Sequence, residues 1–126
     1  MALVLDSGAF IAFDRGNREV AALVEAARRR KDRFVTSSGC VAQSWRGGGA
    51  RQALLARLLT GVEELALSPD ISRSVGKLCA KVNLADVVDA HLALLARDGD
   101  LLITSDIGDL GALLKAVGTK VDLRCC

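Results

Sequence analysis

Short apolar runs punctuate the chain at regular intervals. The first, Ala2 to Leu5, ends abruptly at Asp6, and a run so short and so sharply bounded reads as a buried strand. Further strands are expected at Phe34 to Thr36, Val62 to Leu67, Leu101 to Thr104 and Lys120 to Leu123. Between them the apolar residues recur at three- and four-residue spacings. Val20, Leu23, Val24 and Ala27 mark one stripe of a helix over Asn17 to Arg30. Ser7 can cap a short helix through Phe13, and Ser37 and Ser38 suit the start of one carrying Val41, Ala42, Trp45 and Arg46, stopped by Gly47-Gly48-Gly49. Ala50 to Thr60 is helical by spacing. Ser68-Pro69-Asp70 opens a helix reaching about Val82, Asn83 resembles a cap for Leu84 to Arg97, and Asp106 to Val117 is a last helix. Strands that alternate with helices throughout predict an α/β fold, a parallel sheet with helices on both faces.

The length of 126 residues suits one domain, 1–126, and the 51% apolar content excludes a disordered chain. A formal net charge of +2 selects neither nucleic acid nor membrane, so any charge-based function must come from local clusters. Every apolar run is broken well short of the ~20 residues that cross a bilayer. Met1 to Asp6 lacks the basic start of a secretory signal, and a cytosolic (cytoplasmic) protein without membrane attachment is expected. Cys40, Cys79, Cys125 and Cys126 show no Cys-x-x-Cys spacing, and His91 alone cannot complete a zinc site with them.

In open parallel sheets, sites collect beyond the carboxyl ends of the strands. Those positions are acidic here. Asp6 follows the first strand, Asp106 and Asp109 follow Leu101 to Thr104, and Asp89 is the lone acid in Val87-Val88-Asp89-Ala90-His91-Leu92-Ala93-Leu94-Leu95-Ala96. Carboxylates brought close together repel and take up protons unless a cation lies between them. Oxygen-only donors favour Mg2+ or Mn2+, which can activate water against a phosphodiester.

Three segments together resemble the PIN-domain family and, within it, the VapC-type ribonuclease toxins of bacterial toxin–antitoxin pairs: Leu3-Val4-Leu5-Asp6-Ser7, Val87-Val88-Asp89-Ala90-His91-Leu92-Ala93, and Leu102-Ile103-Thr104-Ser105-Asp106-Ile107-Gly108-Asp109-Leu110. Their order covers nearly the whole chain. The resemblance implies a sheet of five parallel strands, an Mg2+- or Mn2+-dependent endoribonuclease, a metal role for Asp6, Asp89 and Asp106, and an additional or outer role for Asp109. It also implies an RNA substrate, a cognate antitoxin and a homodimer. One position departs from the family pattern. Gln43 stands where a Glu is usual, and a neutral amide supplies neither charge nor base.

Blander readings stand beside these. Asp6 could simply cap the next helix, Asp109 could be a first-turn acid, and Asp86 is explained by the helix macrodipole, with a supporting role near the metal as the alternative. Ser7 and Thr104 are ordinary turn residues whose hydroxyls would lie near the acids and could orient them. The basic run Arg28 to Arg33 reads as a solvated helix end or a phosphate contact. Arg46 and Arg51, flanking the glycine stretch, are the better candidates for RNA phosphate. Two other functions compete with the nuclease. A catalytically weak PIN-type RNA- or partner-binding protein would follow from Gln43. A phosphoacceptor receiver domain would use Asp70, Thr104 and Lys120, but it wants paired acids after the first strand, and Asp6 is followed by Ser7.

Overall fold

The structure, a computed structural model, describes all 126 residues. Five strands form one sheet in the order β3-β2-β1-β4-β5, with every neighbouring pair parallel. They are β1 (Ala2–Leu5), β2 (Arg33–Ser37), β3 (Val62–Leu65), β4 (Leu101–Thr104) and β5 (Asp122–Cys125). The central strands β1 and β4 are buried along their whole length, as their unbroken apolar runs require.

Seven helices connect the strands: α1 (Ser7–Asp14), α2 (Arg18–Arg29), α3 (Ser38–Ser44), α4 (Ala53–Leu59), α5 (Pro69–Val82), α6 (Val87–Leu95) and α7 (Ile107–Val117). α1 packs with α2, α3 and α4, while α5, α6 and α7 pack with one another. Right-handed crossovers explain this division. The chain moves outward from β1 through β2 to β3, then returns past β1 to β4 and β5, which places the second set of helices on the opposite face. Phe10, Val24, Leu58, Leu92 and Leu113 meet the sheet from these helices in one apolar core.

Several local expectations are corrected. Ser7 does not cap α1; Asp6 does, its Oδ1 accepting the Ala9 amide at 2.8 Å. Asn83 ends α5 instead of starting the next helix: its backbone is left-handed (φ 59°), a conformation Asn tolerates better than most residues. The following helix therefore begins only at Val87, capped by Asp86. Ala50–Gln52 is a short 3-10 turn ahead of α4, and the α3 helix stops at Ser44, before the glycines. The last strand lies two residues beyond the expected start, because Lys120 is held in the preceding turn, its amide on Asp98 Oδ1 and its carbonyl on the Gly99 amide.

Candidate metal centre

The strand order reverses between β1 and β4, and this switch point is where open α/β sheets form their crevices. Leu5 is registered against Ile103, so the residues that follow, Asp6 and Thr104 to Asp106, emerge side by side. Asp6 ties the two strand ends together. It is 4% exposed, and besides capping α1 through Oδ1 it accepts the Ser105 amide on Oδ2 at 3.1 Å. No side chain fits at Gly8, where a Cβ would lie 2.5 Å from Ser105 Oγ.

Two helices start at this edge with the same four-residue pattern, Asp-x-x-Asp. Asp86 caps α6 and takes the Asp89 amide at 3.0 Å; Asp106 caps α7 and takes the Asp109 amide at 3.0 Å. Thr104 Oγ1 sets the second cap by accepting the Asp106 amide at 2.8 Å. Each cap satisfies helix N–H groups that would otherwise lack partners, and the amino ends of both helices favour negative charge. The result is that Asp89, Asp106 and Asp109 offer carboxylate oxygens that all lie within 4.8 Å of one another.

Asp89 bears the consequence. Partial burial, then the negative charges of Asp86, Asp6, Asp106 and Asp109, push its carboxyl from 3.8 up to about 7. The Asp109 carboxyl is also raised, chiefly by the charge of Asp106. A compact, oxygen-only set whose members suppress each other's ionisation fits a hard divalent cation, which would remove the conflict.

Of the residues singled out from the sequence, the structure brings together Asp89, Asp106 and Asp109. Asp6 stands beside them with both oxygens engaged by backbone amides, and Asp86 and Thr104 orient the acids. Ser7 is the half-buried first residue of α1. Gln43 lines a separate open cleft with Asp14, Arg15, Arg46 and Gln52, which includes none of the three acids. Arg46 turns its guanidinium back onto the Ala42 and Trp45 carbonyls at the end of α3, and Arg51 is exposed in the 3-10 turn.

Two residues gain parts the sequence did not give them. Gln52 clamps the glycine loop, its Oε1 accepting the Arg46 and Gly48 amides and its Nε2 donating to the Ser44 carbonyl. Nothing in the local pattern marked it. His91 is buried, with Nδ1 2.7 Å from Ser37 Oγ and Nε2 without a partner, and burial lowers its pKa, favouring the neutral ring. Its position four residues after Val87 and among Ala90, Leu92 and Ala93 was the available signal for burial.

No protein-family model matches the chain, and no curated protein matches its sequence. Its fold, in contrast, is that of known structures. VapBC2 from Rickettsia felis, solved bound to a DNA fragment from its promoter, is similar with a TM-score of 0.69 and 15% identity, covering 98% of this chain and 99% of that one. PAE2754 from Pyrobaculum aerophilum is similar with a TM-score of 0.58 and 18% identity, covering 97% of this chain and 83% of that one. The chain therefore has the PIN-like fold that its sequence resemblance implied. No helix is long and apolar enough to cross a membrane.

Proposed function

We propose that this chain is a divalent-metal-dependent endoribonuclease, the toxin of a toxin–antitoxin pair. The observation that carries the reading is the set of three carboxylates held within 4.8 Å at the switch point of a PIN-like sheet. In this reading Asp89, Asp106 and Asp109 hold Mg2+ or Mn2+, and Asp6 keeps the ends of β1 and β4 in register beneath them. A bound cation supplies Lewis acidity toward a phosphodiester and neutralises the three acids. Asp86 and Asp106 fix the acid-bearing helix starts, and Arg46 and Arg51 supply positive charge from the α3–α4 connection for backbone phosphates.

The likeness to VapBC2 supports an antitoxin partner, and the acid cluster suits an arginine from that partner as a plug. A homodimer completes the proposed assembly. The test is cleavage of structured RNAs with Mn2+ or with EDTA, alongside Mn2+ calorimetry. Asp89→Asn and Asp106→Asn should abolish both cleavage and tight Mn2+ binding. Cleavage that persists in EDTA, or in both variants, would overturn the metal-dependent mechanism, and no cleavage with Mn2+ would overturn the nuclease reading.

A non-catalytic RNA- or partner-binding protein is the second reading, favoured by the neutral Gln43. It predicts RNA or peptide binding with no cleavage in either metal.

A further inference from the structure

The six cations from Arg28 to Arg33 and Arg57 divide into two groups. Arg29, Arg30 and Arg33 are paired with Glu25, Asp32 and Glu63. Arg28, Lys31 and Arg57 make no ion pair, and these three converge on one cavity of about 410 Å3. Phe34 and Leu58 supply its apolar lining, with Asp32, Thr60 and Gly61 completing it. Lys31 reaches it from a left-handed backbone (φ 59°), unusual for a residue with a long side chain.

The ordinary explanation is that cations gather where helices end. α2 and α4 both finish here, and each carboxyl end is worth about half a negative charge. Together they balance roughly one of the three cations. Asp32 is already neutralised by Arg30 at 2.9 Å. About two positive charges remain unmatched over a pocket large enough for a nucleotide unit.

The cavity sits at the amino end of β2, whereas the acids lie beyond the carboxyl ends of the strands. The five residues of β2, at ~3.3 Å each, put roughly 17 Å between the two levels. About five stacked nucleotide steps, at ~3.4 Å each, cover that distance.

We propose that the cavity formed by Arg28, Lys31 and Arg57 is a second RNA contact that seats a backbone phosphate of a structured substrate whose scissile bond lies at the acid cluster. This rests on the nuclease reading and adds a substrate class to it: RNA long enough to span both levels, in preference to short oligonucleotides.

The experiment compares the parent with Arg28→Gln/Lys31→Gln/Arg57→Gln and with a control that removes three exposed, unpaired cations elsewhere, Arg73→Gln/Lys77→Gln/Lys115→Gln. Binding of a labelled RNA hairpin is measured in EDTA across a salt series. The cavity variant should bind at least tenfold more weakly, with the salt slope reduced by roughly 1 for the one phosphate released, while the control stays near the parent. With Mn2+, KM for the hairpin should rise at unchanged kcat, and a dinucleotide substrate should be unaffected. Equal losses in both triple variants would overturn the site, since net charge alone would then explain binding. So would an unchanged hairpin affinity, or a DNA duplex of the same length held equally well through the same residues. Arg57→Gln alone, at an exposed position, keeps the test open if the triple variant folds poorly, and should weaken hairpin binding about threefold. If the parent cleaves no RNA yet its hairpin binding depends on these cations, the nuclease reading falls and the RNA contact stands.

Discussion

Asp6 Oδ2 accepts the backbone amide of Ser105 at 3.1 Å, joining the end of β1 to the end of β4 across 99 residues of sequence. With Oδ1 on the Ala9 amide, this buried carboxylate has both oxygens committed to backbone donors. Asp6→Asn turns one acceptor into an amide group facing an N–H. The expected loss is about 2 kcal/mol of stability, the scale of a broken charge-assisted bond in a buried site. Urea denaturation without divalent ions checks this, with Asp89→Asn as the contrast that should lose nothing. Equal stability of parent and Asp6→Asn would return Asp6 to the role of a metal carboxylate alone.

Gly8 makes that junction possible. A Cβ there would lie 2.6 Å from Ser105 Cβ and 3.3 Å from Asp6 Oδ1. Gly8→Ala should destabilise by about 1–3 kcal/mol through overpacking, and should weaken Mn2+ binding because Asp106 follows Ser105 directly. Ser105→Gly in the same chain removes one clashing side chain and should recover most of both losses. No recovery would place the strain elsewhere.

The sheet was legible because its central strands are uninterrupted apolar runs and its connections are long enough for helices. The candidate site was legible as a set of acids after strands, but not as a geometry. Sequence spacing does not show that both Asp6 oxygens accept backbone amides, nor that Asp109 lies within reach of Asp89 and Asp106. Asn83 was misread for a physical reason: Asn is favoured both at helix starts and in the left-handed residue that ends one. The repeated Asp-x-x-Asp of Asp86–Asp89 and Asp106–Asp109 was the better guide to helix starts. Gln52 escaped because long-range side-chain clamps on loops leave no periodic trace.

Gln43 lines a cleft with Asp14, Arg15 and Arg46, and none of the three clustered acids lines it. On the sequence alone, Gln43→Glu would raise divalent affinity tenfold or more. The cleft predicts a smaller gain, under tenfold, because residue 43 lines a cleft apart from the three acids, and two arginines against one acid, Asp14, partly balance a charge added there. Calorimetry with Mn2+ decides between the two. A tenfold gain would mean that residue 43 reaches the metal site.

Asp89 and His91 give the metal-free protein opposing responses to pH. The Asp89 carboxyl rises from 3.8 to about 7 in the folded chain, so between these values the native state holds a proton that the unfolded state has released. Stability is fully favoured at the acid end of that window and is lost as pH rises through about 7. Three pKa units correspond to about 4 kcal/mol, and solvent screening of this half-buried group reduces the effect to about 2 kcal/mol. His91 works the other way. Its folded pKa is lowered from 6.5 by burial, so its contribution is fully present above 6.5 and is lost as pH falls through the folded value. Melting temperatures from about pH 5 to about pH 8 in EDTA should therefore decline at the neutral end for the parent. In Asp89→Asn that decline should shrink to the smaller part that the raised Asp109 carboxyl still contributes, beside the loss toward acid that His91 imposes. Saturating Mn2+ should also remove the decline in the parent, since a cation among Asp89, Asp106 and Asp109 favours the ionised form. Identical pH profiles for parent and Asp89→Asn would show that Asp89 ionises as an isolated surface acid, and the carboxylate cluster would lose its claim to a metal.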